Sequence, residues 1–389
     1  LSLQPAAQVF GRFQWDSLLK EGGVLALFYC LADGAKPARL LVTWLLFKLM
    51  FMSGVVKIFS GCPTWLELTA TSFHFATQPL PNALAWWAHQ LPIVIHKWLV
   101  AVTLWGEIAA PFLLLVPLCS IRRVGVALQI LLQVTIASTG SYNFFNLLTT
   151  ALCLPAWHCD PSRLTLPGKR WQGSFLGCAA FIGWSFYAMF QVSSMDLIPA
   201  LKLKEEACHA LVRSLLPPTT AFFFGWLALS SAEWVLHGRG AVVQALRLAG
   251  SGAVLLLFAL GRSSVYVAVL ALTQPGPLIA NSPSWLLSAF NELAPRGVFN
   301  GYGLFRHMTG VDMTPEGKMV VQRPEILLFG SKDGVDWKQL HFRFKPGDFA
   351  AMPSYAAPHQ PHLDWQMWFA ALGNSNLQPW LVHLIYQVM

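Results

Sequence analysis

Charge is what this sequence has least of. Only 11% of its 389 residues are Asp, Glu, Lys or Arg, less than half of the roughly 25% usual in soluble domains. A soluble chain of this length could not cover its surface with so few charges. Hydrophobic residues make up 55% and the mean hydropathy is +0.51, which excludes disorder, because disordered chains are poor in those residues. A membrane protein with a soluble appendage remains. Chemical motifs are also missing. None of the seven cysteines has C-x-x-C spacing, which removes zinc ribbons and thioredoxin-type sites. No G-x-S-x-G elbow, P-loop or H-E-x-x-H occurs, and no motif implies a cofactor. The formal net charge of +8 does not point to nucleic acid, since an excess of Lys and Arg is expected on the cytoplasmic loops of membrane proteins.

What is present is a series of apolar runs. At about 17–25 residues per crossing, they predict seven spans, or eight at most. These are roughly Ser17–Ala32, Leu40–Phe59, Trp98–Leu118, Val124–Gly140, a short return over Ser141–Trp157, Trp171–Val192, Thr219–Leu236 and Leu248–Tyr266. From about Asn281 the long runs stop and charges, His and Pro become frequent, after a linker-like Thr273-Gln-Pro-Gly-Pro. The expected organisation is a multi-pass α-helical bundle over 1–272, with an extramembrane loop 60–97, and a β-rich, sandwich-like C-terminal domain over 273–389. Lys36 and Arg39, Arg122 and Arg123, Arg163, Lys169 and Arg170, and Arg239 all fall on one side of such a bundle. The positive-inside rule makes that side cytoplasmic. Loop 60–96, which has no Lys or Arg, and the C-terminal domain fall on the lumenal side. Lys202, Lys204 and Arg213 oppose this, but Asp196, Glu205 and Glu206 share their loop. The chain begins at Leu1 without an evident signal peptide, so a truncated chain, with internal segments also missing, is expected.

Polar residues inside apolar runs are the candidate site. An ionisable residue within a span is a functional hypothesis by default. Lys48 and Lys57 lie in one predicted span, nine residues apart and so on opposite helix faces; Lys57 could instead snorkel to the interface. Glu107 lies mid-span and could pair with one of them, and Arg262 completes the set. Thr139-Gly-Ser-Tyr-Asn-Phe-Phe-Asn interrupts an apolar run. Such breaks line a cavity or are buried in protein, so Tyr142, Asn143 and Asn146 either face a ligand or cap helix ends. Only Cys62 and Cys208 face the oxidising side, which suggests a disulfide between them; Cys30, Cys119, Cys153, Cys159 and Cys178 read as small buried hydrophobes.

In the C-terminal domain, Leu340, Phe342 and Phe344 alternate with His341, Arg343 and Lys345, as in a half-buried strand, with Asp333-Gly334 as the hairpin turn. His359, His362 and Asp364 are too few for a metal site. Trp365, Trp368 and Phe369 have the spacing of an amphipathic helix lying on a sheet or membrane surface.

Several longer stretches carry a resemblance. They are Gln14-Trp-Asp-Ser-Leu-Leu, Phe51-Met-Ser-Gly-Val-Val-Lys, Thr77-Gln-Pro-Leu-Pro-Asn-Ala-Leu-Ala-Trp-Trp-Ala-His-Gln-Leu-Pro, Gly140-Ser-Tyr-Asn-Phe-Phe-Asn-Leu-Leu-Thr, Asn300-Gly-Tyr-Gly-Leu-Phe-Arg-His-Met-Thr-Gly and Pro358-His-Gln-Pro-His-Leu-Asp-Trp-Gln-Met-Trp-Phe-Ala-Ala-Leu. With them the chain resembles the lipase maturation factor family over nearly its whole length, and the second of that family's paralogues more than the first. The family pattern has Arg where His362 stands, which weakens a metal reading further, and an earlier span and lumenal loop that this chain would be expected to lack at its start. The resemblance implies an endoplasmic-reticulum membrane protein with a lumenal C-terminal domain that helps homodimeric lipases fold before secretion. Its partners would be secreted clients and membrane lipids, and its mode of action non-enzymatic. Ser53-Gly-Val-Val-Lys57 followed by Trp65 also looks like a stretch of vitamin K-dependent carboxylase in which the matching Lys is a base. That likeness implies the alternative, an intramembrane enzyme. A transporter with a path past Lys48 and Glu107 is a third reading, without an inverted repeat to support it.

Overall fold

The structure is a computed structural model that describes residues 8–11, 13–32, 35–158, 169–272, 288, 292, 299–347, 351–359, 361–373 and 378–388. The expected linker at 273–277 lies outside them.

Eight helices run back and forth: α1 Gln14–Leu31, α2 Lys36–Phe59, α5 Ile93–Ile108, α6 Cys119–Thr139, α7 Phe145–Trp157, α8 Lys169–Met189, α9 Glu205–Leu236 and α10 Ala241–Leu272. Two short helices, α3 Ala70–Thr77 and α4 Ala83–His89, separate α2 from α5. Among the described residues, four segments are long and apolar enough to cross a membrane: Lys36–Phe59, Ile93–Leu115 (α5 with the 3-10 turn that follows it), Cys119–Thr139 and Ala241–Ser263. This is a multi-pass membrane protein.

The apolar run of α2 has no polar face, and a helix that is hydrophobic all round belongs in a core. Accordingly, α2 is buried throughout its apolar window, with α1, α5, α7, α9 and α10 packed around it. Small residues let neighbours approach. A Cβ on Gly54 would lie 2.8 Å from Cβ of Glu107, and one on Gly125 would lie 2.8 Å from Cβ of Leu113. Contacts of this kind drive association where lipid is as apolar as the helices.

The two ends of the bundle are distinct. At one end Lys36 pairs with Glu233 at 3.4 Å, Arg122 donates to the carbonyls of Ala156 and His158, and Arg123 donates to Trp157. At the other end Trp98 donates to the carbonyl of Leu197, the ring of His209 stacks on Phe59, and a small antiparallel pair forms between β1 Phe190–Val192 and β2 Pro199–Leu201. The C-terminal region docks at this second end.

That region differs from the sandwich expected of it. Its described strands are three residues each and form two separate antiparallel pairs: β3 Val311–Met313 with β4 Met319–Val321, and β5 Leu328–Gly330 with β6 Lys338–Leu340. The hairpin turn sits where expected. Oδ1 of Asp333 accepts from the amides of Val335 and Asp336, which holds its carboxyl down to about 2, and Gly334 takes φ +75°. The strand stops at Leu340, because the chain turns inward. The next residues, Phe342 and Phe344, pack on helical cores, and Lys345 is buried against Glu325 at 2.7 Å. Two helices follow, α11 His362–Leu372 and α12 Pro379–Val388.

Helix α11 does not lie on a sheet but packs against the end of the bundle. Trp365 and Trp368 are buried. Trp365 packs edge-on to Trp15 at the start of α1, with ring centroids 4.9 Å apart, and Nε1 of Trp368 donates to the carbonyl of Thr77 at 2.9 Å. Hence the C-terminal region is sutured to the bundle rather than tethered to it.

The cysteines also depart from expectation. Cys62 and Cys208 are buried free thiols, so the disulfide expected between them is not formed; Sγ of Cys62 lies 3.3 Å from Thr64 Oγ1 instead. Cys30 is exposed rather than buried. Cys119, expected to be a reduced core residue, is disulfide-bonded.

Candidate functional site

The polar residues of the bundle gather where α2 ends and the C-terminal region enters. Nine residues apart, the two lysines of α2 point to different neighbours. Nζ of Lys48 pairs with Oε1 of Glu21 on α1. Nζ of Lys57 pairs with Oε2 of Glu107 on α5 at 2.7 Å. All four side chains are buried. A buried charge is tolerated only when it is paired and its remaining protons are satisfied, and both conditions are met at Lys57. Its other donors reach the carbonyls of Ser53 at 3.0 Å and Leu304 at 3.2 Å, and the ammonium sits 5.1 Å from the ring centroid of Trp65. Three donors thus meet three acceptors, which is the chemistry of a structural cation.

One of those acceptors belongs to the C-terminal region. The segment 299–308 enters the bundle as a plug. The hydroxyl of Tyr302 donates to Oε2 of Glu21 at 2.7 Å, while Lys48 lies 5.0 Å from its ring centroid. Burial first, then the Glu21 carboxylate, push the Tyr302 phenol well above its ordinary value. Nε1 of Trp65 donates to the carbonyl of Phe305 at 3.0 Å. The plug is tightly turned. Tyr302 and Phe305 hold φ of 54° and 56°, a conformation that non-glycine residues adopt at a cost. Between them Gly303 takes φ +149°, and a Cβ there would lie 3.1 Å from Cγ1 of Val56. A glycine is required at that point for both reasons.

Beyond the plug lies a second polar cluster. Tyr142 is buried at the break between α6 and α7, and its hydroxyl donates to Oε1 of Gln78 at 2.6 Å. The same oxygen lies 2.7 Å from Nε2 of His74, from which it therefore accepts. Burial, with the Lys57 charge as a lesser cause, pushes His74 down to about 4, so the ring is neutral. Burial pushes the Tyr142 phenol up. Asn143 has φ 52°, and its Oδ1 accepts from the amide of Phe145 at 2.8 Å, a capping role at the start of α7. Asn146 donates to Oε1 of Gln133 at 2.9 Å, and Nε2 of Gln129 donates to the carbonyl of Gly106 at 3.0 Å. Asn146 therefore ties α7 to α6, whereas Asn143 bonds only locally and its Nδ2 is buried without a partner among the described residues.

The C-terminal region is also fastened to the bundle by Arg323. Its guanidinium donates to the carbonyls of Ala76 at 3.0 Å, Gln78 at 2.5 Å and Pro79 at 3.1 Å and pairs with Glu325 at 2.8 Å. Ala76 lies in the last turn of α3 and Gln78 and Pro79 follow it; the side chains of His74, on α3, and Gln78, just after it, meet Tyr142.

Of the candidate residues, the structure brings Lys57, Glu107 and the plug into one contact set. Lys48 belongs to a second set with Glu21 and Tyr302, and Tyr142 to a third. Oδ1 of Asp364 is spent on the amides of Phe344 and Lys345, and among the described residues no three His, Cys, Asp or Glu gather in a metal-ligating group. An open groove of about 750 Å³, lined by Ile182, Phe186, Tyr187, Phe190, Val192 and Lys202 among others, shares no residue with these clusters. Sequence reasoning passed over Glu21, Tyr302, His74, Gln78 and Arg323. Only Glu21 carried a signal, as an acid inside an apolar run. The others acquire their partners across more than 60 residues of chain.

Fold and site together define a multi-pass membrane protein whose C-terminal region inserts a plug among the buried ion pairs of the helical bundle. Two sequence families match it. The lipase maturation factor transmembrane domain matches residues 1–160 and the lipase maturation factor C-terminal domain matches residues 298–389. The chain belongs to the lipase maturation factor family. It is 34% identical to lipase maturation factor 2 of Xenopus laevis over 427 residues and 35% identical to that of Mus musculus over 438 residues, each across 100% of this chain. Lipase maturation factor 1 of Bos taurus is 28% identical over 405 residues and 99% of this chain. The chain spans only 58–59% of the length of these relatives. No solved structure matches it.

Proposed function

We propose that this protein is a non-enzymatic maturation factor of the endoplasmic-reticulum membrane that assists the folding and assembly of secreted homodimeric lipases, with its C-terminal region in the lumen. Family membership supports the client class. The observation that carries the mode of action is the β5–β6 hairpin. It leaves Phe329 51% and Trp337 62% exposed, with Leu327, Val335 and Leu340 also exposed around it. Aromatic and aliphatic surface of this kind suits an incompletely assembled client, whose own apolar surface would otherwise aggregate.

The lumenal orientation rests on the sequence distribution of basic residues: Lys36 and Arg39, Arg122 and Arg123, Lys169 and Arg170, and Arg239 flank four connections that the span count assigns to the side opposite the C-terminal region. The disulfide at Cys119 pulls the other way, because disulfides persist in oxidising compartments and Cys119 begins the helix that carries Arg122 and Arg123. Four loops outweigh one cysteine, and we retain the charge-based orientation.

The test is a pair of substitutions, Phe329→Ser with Trp337→Ser, in cells that secrete a homodimeric lipase and depend on this chain. The specific activity of secreted lipase is expected to fall severalfold while the amount of chain in the membrane stays constant. Unchanged specific activity would overturn the reading. Point substitutions are preferable to removing the C-terminal region, since removal would also strip Tyr302 from Glu21 and Leu304 from Lys57.

A further inference from the structure

Helix α4 is inside out for a water-facing element. Its buried side holds the small Ala85, while Leu84 is 52%, Trp86 49% and Trp87 61% exposed. At 100° per residue these three cover an arc of about 160° opposite Ala85. Leu91, Ile93 and Ile95 continue the exposed apolar surface onto the start of α5. Between Glu67 and Lys97 there is no Asp, Glu, Lys or Arg, so nothing on this stretch is built for a charged partner.

Position identifies the occupant. The helix is pinned at both ends to the boundary of the membrane-spanning region. At its N-terminus Asn82 caps it by accepting from the amide of Ala85 at 2.9 Å, and its Nδ2 donates to the carbonyl of Ser138 at 3.1 Å, one residue before the candidate span Cys119–Thr139 ends. At its C-terminus the chain enters the span Ile93–Leu115 within four residues of His89. These two spans are antiparallel neighbours joined by a short connection after Leu115, so Ile93 and Thr139 lie at the same end of the bundle. A seven-residue helix fixed between them, about 10 Å long, runs along the bilayer boundary, and its outer face continues the exposed sides of α5 and α6. Trp is favoured at that level because its ring has an apolar body and a polar N–H.

We propose that α4 is an in-plane interfacial helix whose Leu84, Trp86 and Trp87 insert into the headgroup–acyl boundary of the leaflet on the C-terminal-region side, and that its partner is zwitterionic lipid. This goes beyond the proposed function and does not depend on it. It removes Trp86 and Trp87 from the surface available to a client and leaves Phe329 and Trp337 of the β5–β6 hairpin exposed for one.

The test uses the full chain in phosphatidylcholine nanodiscs with Trp87→p-benzoylphenylalanine and, separately, Trp86→p-benzoylphenylalanine. Both keep a large aromatic side chain. Leu131, 63% exposed in the middle of a candidate span, gives the lipid-facing reference when substituted likewise, and Val335, 79% exposed in the C-terminal region, gives the aqueous background. Photolysis is expected to give phosphatidylcholine adducts at both tryptophan positions, at a yield within about threefold of Leu131 and roughly tenfold or more above Val335. Yields at the Val335 level would overturn the proposal. So would illumination of the same variants in cell membranes if it gave protein adducts in excess of lipid adducts, because α4 would then face a client.

Discussion

Replacing Lys57 by Met is expected to destabilise the protein through the partner it leaves behind. Glu107 is buried, and Lys57 is the ammonium that meets its Oε2 at 2.7 Å. Removing one member of a buried ion pair costs about 3–5 kcal/mol, because the other charge is stranded. A 1 kcal/mol loss lowers the melting temperature by roughly 2–4 °C in a chain of 150–250 residues and by less in a longer one, so a fall of about 3–10 °C is expected here. Glu107→Leu should cost a similar amount, stranding Lys57 against the carbonyls of Ser53 and Leu304 alone. The double variant Lys57→Met with Glu107→Leu should recover most of the loss, since replacing a whole buried pair by apolar groups of similar volume is often neutral or stabilising. The assay is thermal unfolding in detergent for all four members of the cycle, which isolates the pairwise coupling. A stable Lys57→Met, or a double variant no better than the sum of the singles, would refute the structural role. Client maturation read in the same variants separates the two functional readings. If Lys57 is structural, the double variant matures lipase normally. If Lys57 is a base, the double variant is stable and inactive.

Tyr302→Phe deprives Glu21 Oε2 of its donor and should cost about 1–3 kcal/mol, read as a lower melting temperature; an unchanged value would mean that the plug does not anchor at Glu21. Arg323→Ala frees the carbonyls of Ala76, Gln78 and Pro79 and should speed amide exchange across 74–80 and proteolysis near 299–323, while Arg343→Ala, at an exposed residue, should do neither. His74 is held at about 4 against an ordinary 6.5, so the fold favours the neutral ring. Its contribution is complete above pH 6.5 and is lost as pH falls from 6.5 to 4, on the order of 1–2 kcal/mol after discounting for the ring's partial exposure. The melting temperature of wild type should therefore drop more steeply than that of His74→Gln over that interval, and parallel curves would contradict the assignment.

The sequence by itself determined the multi-pass membrane class, and its seven expected spans, eight at most, each overlap one of the eight long helices without fixing their limits. Those follow from hydropathy and charge, which are local properties read along the chain. It also marked Lys48, Lys57 and Glu107, because an ionisable residue in an apolar run is anomalous wherever the run packs. It did not determine what each residue does. Glu21 lies 27 residues from Lys48, and Tyr302 lies 281 residues from Glu21; contacts across such separations leave no periodicity to detect. The expected sandwich is not seen among the described residues: the alternation at Leu340–Lys345 is indifferent to what buries it, and helical cores rather than a second sheet meet Phe342 and Phe344. The amides at 142–146 read equally as a ligand cavity or as helix caps, and only the positions of Gln78, His74, Gln133 and the amide of Phe145 gave them partners. Tertiary structure decided these points because a buried charge or hydroxyl is defined by the group it meets, and that group is chosen by packing rather than by its neighbours in sequence.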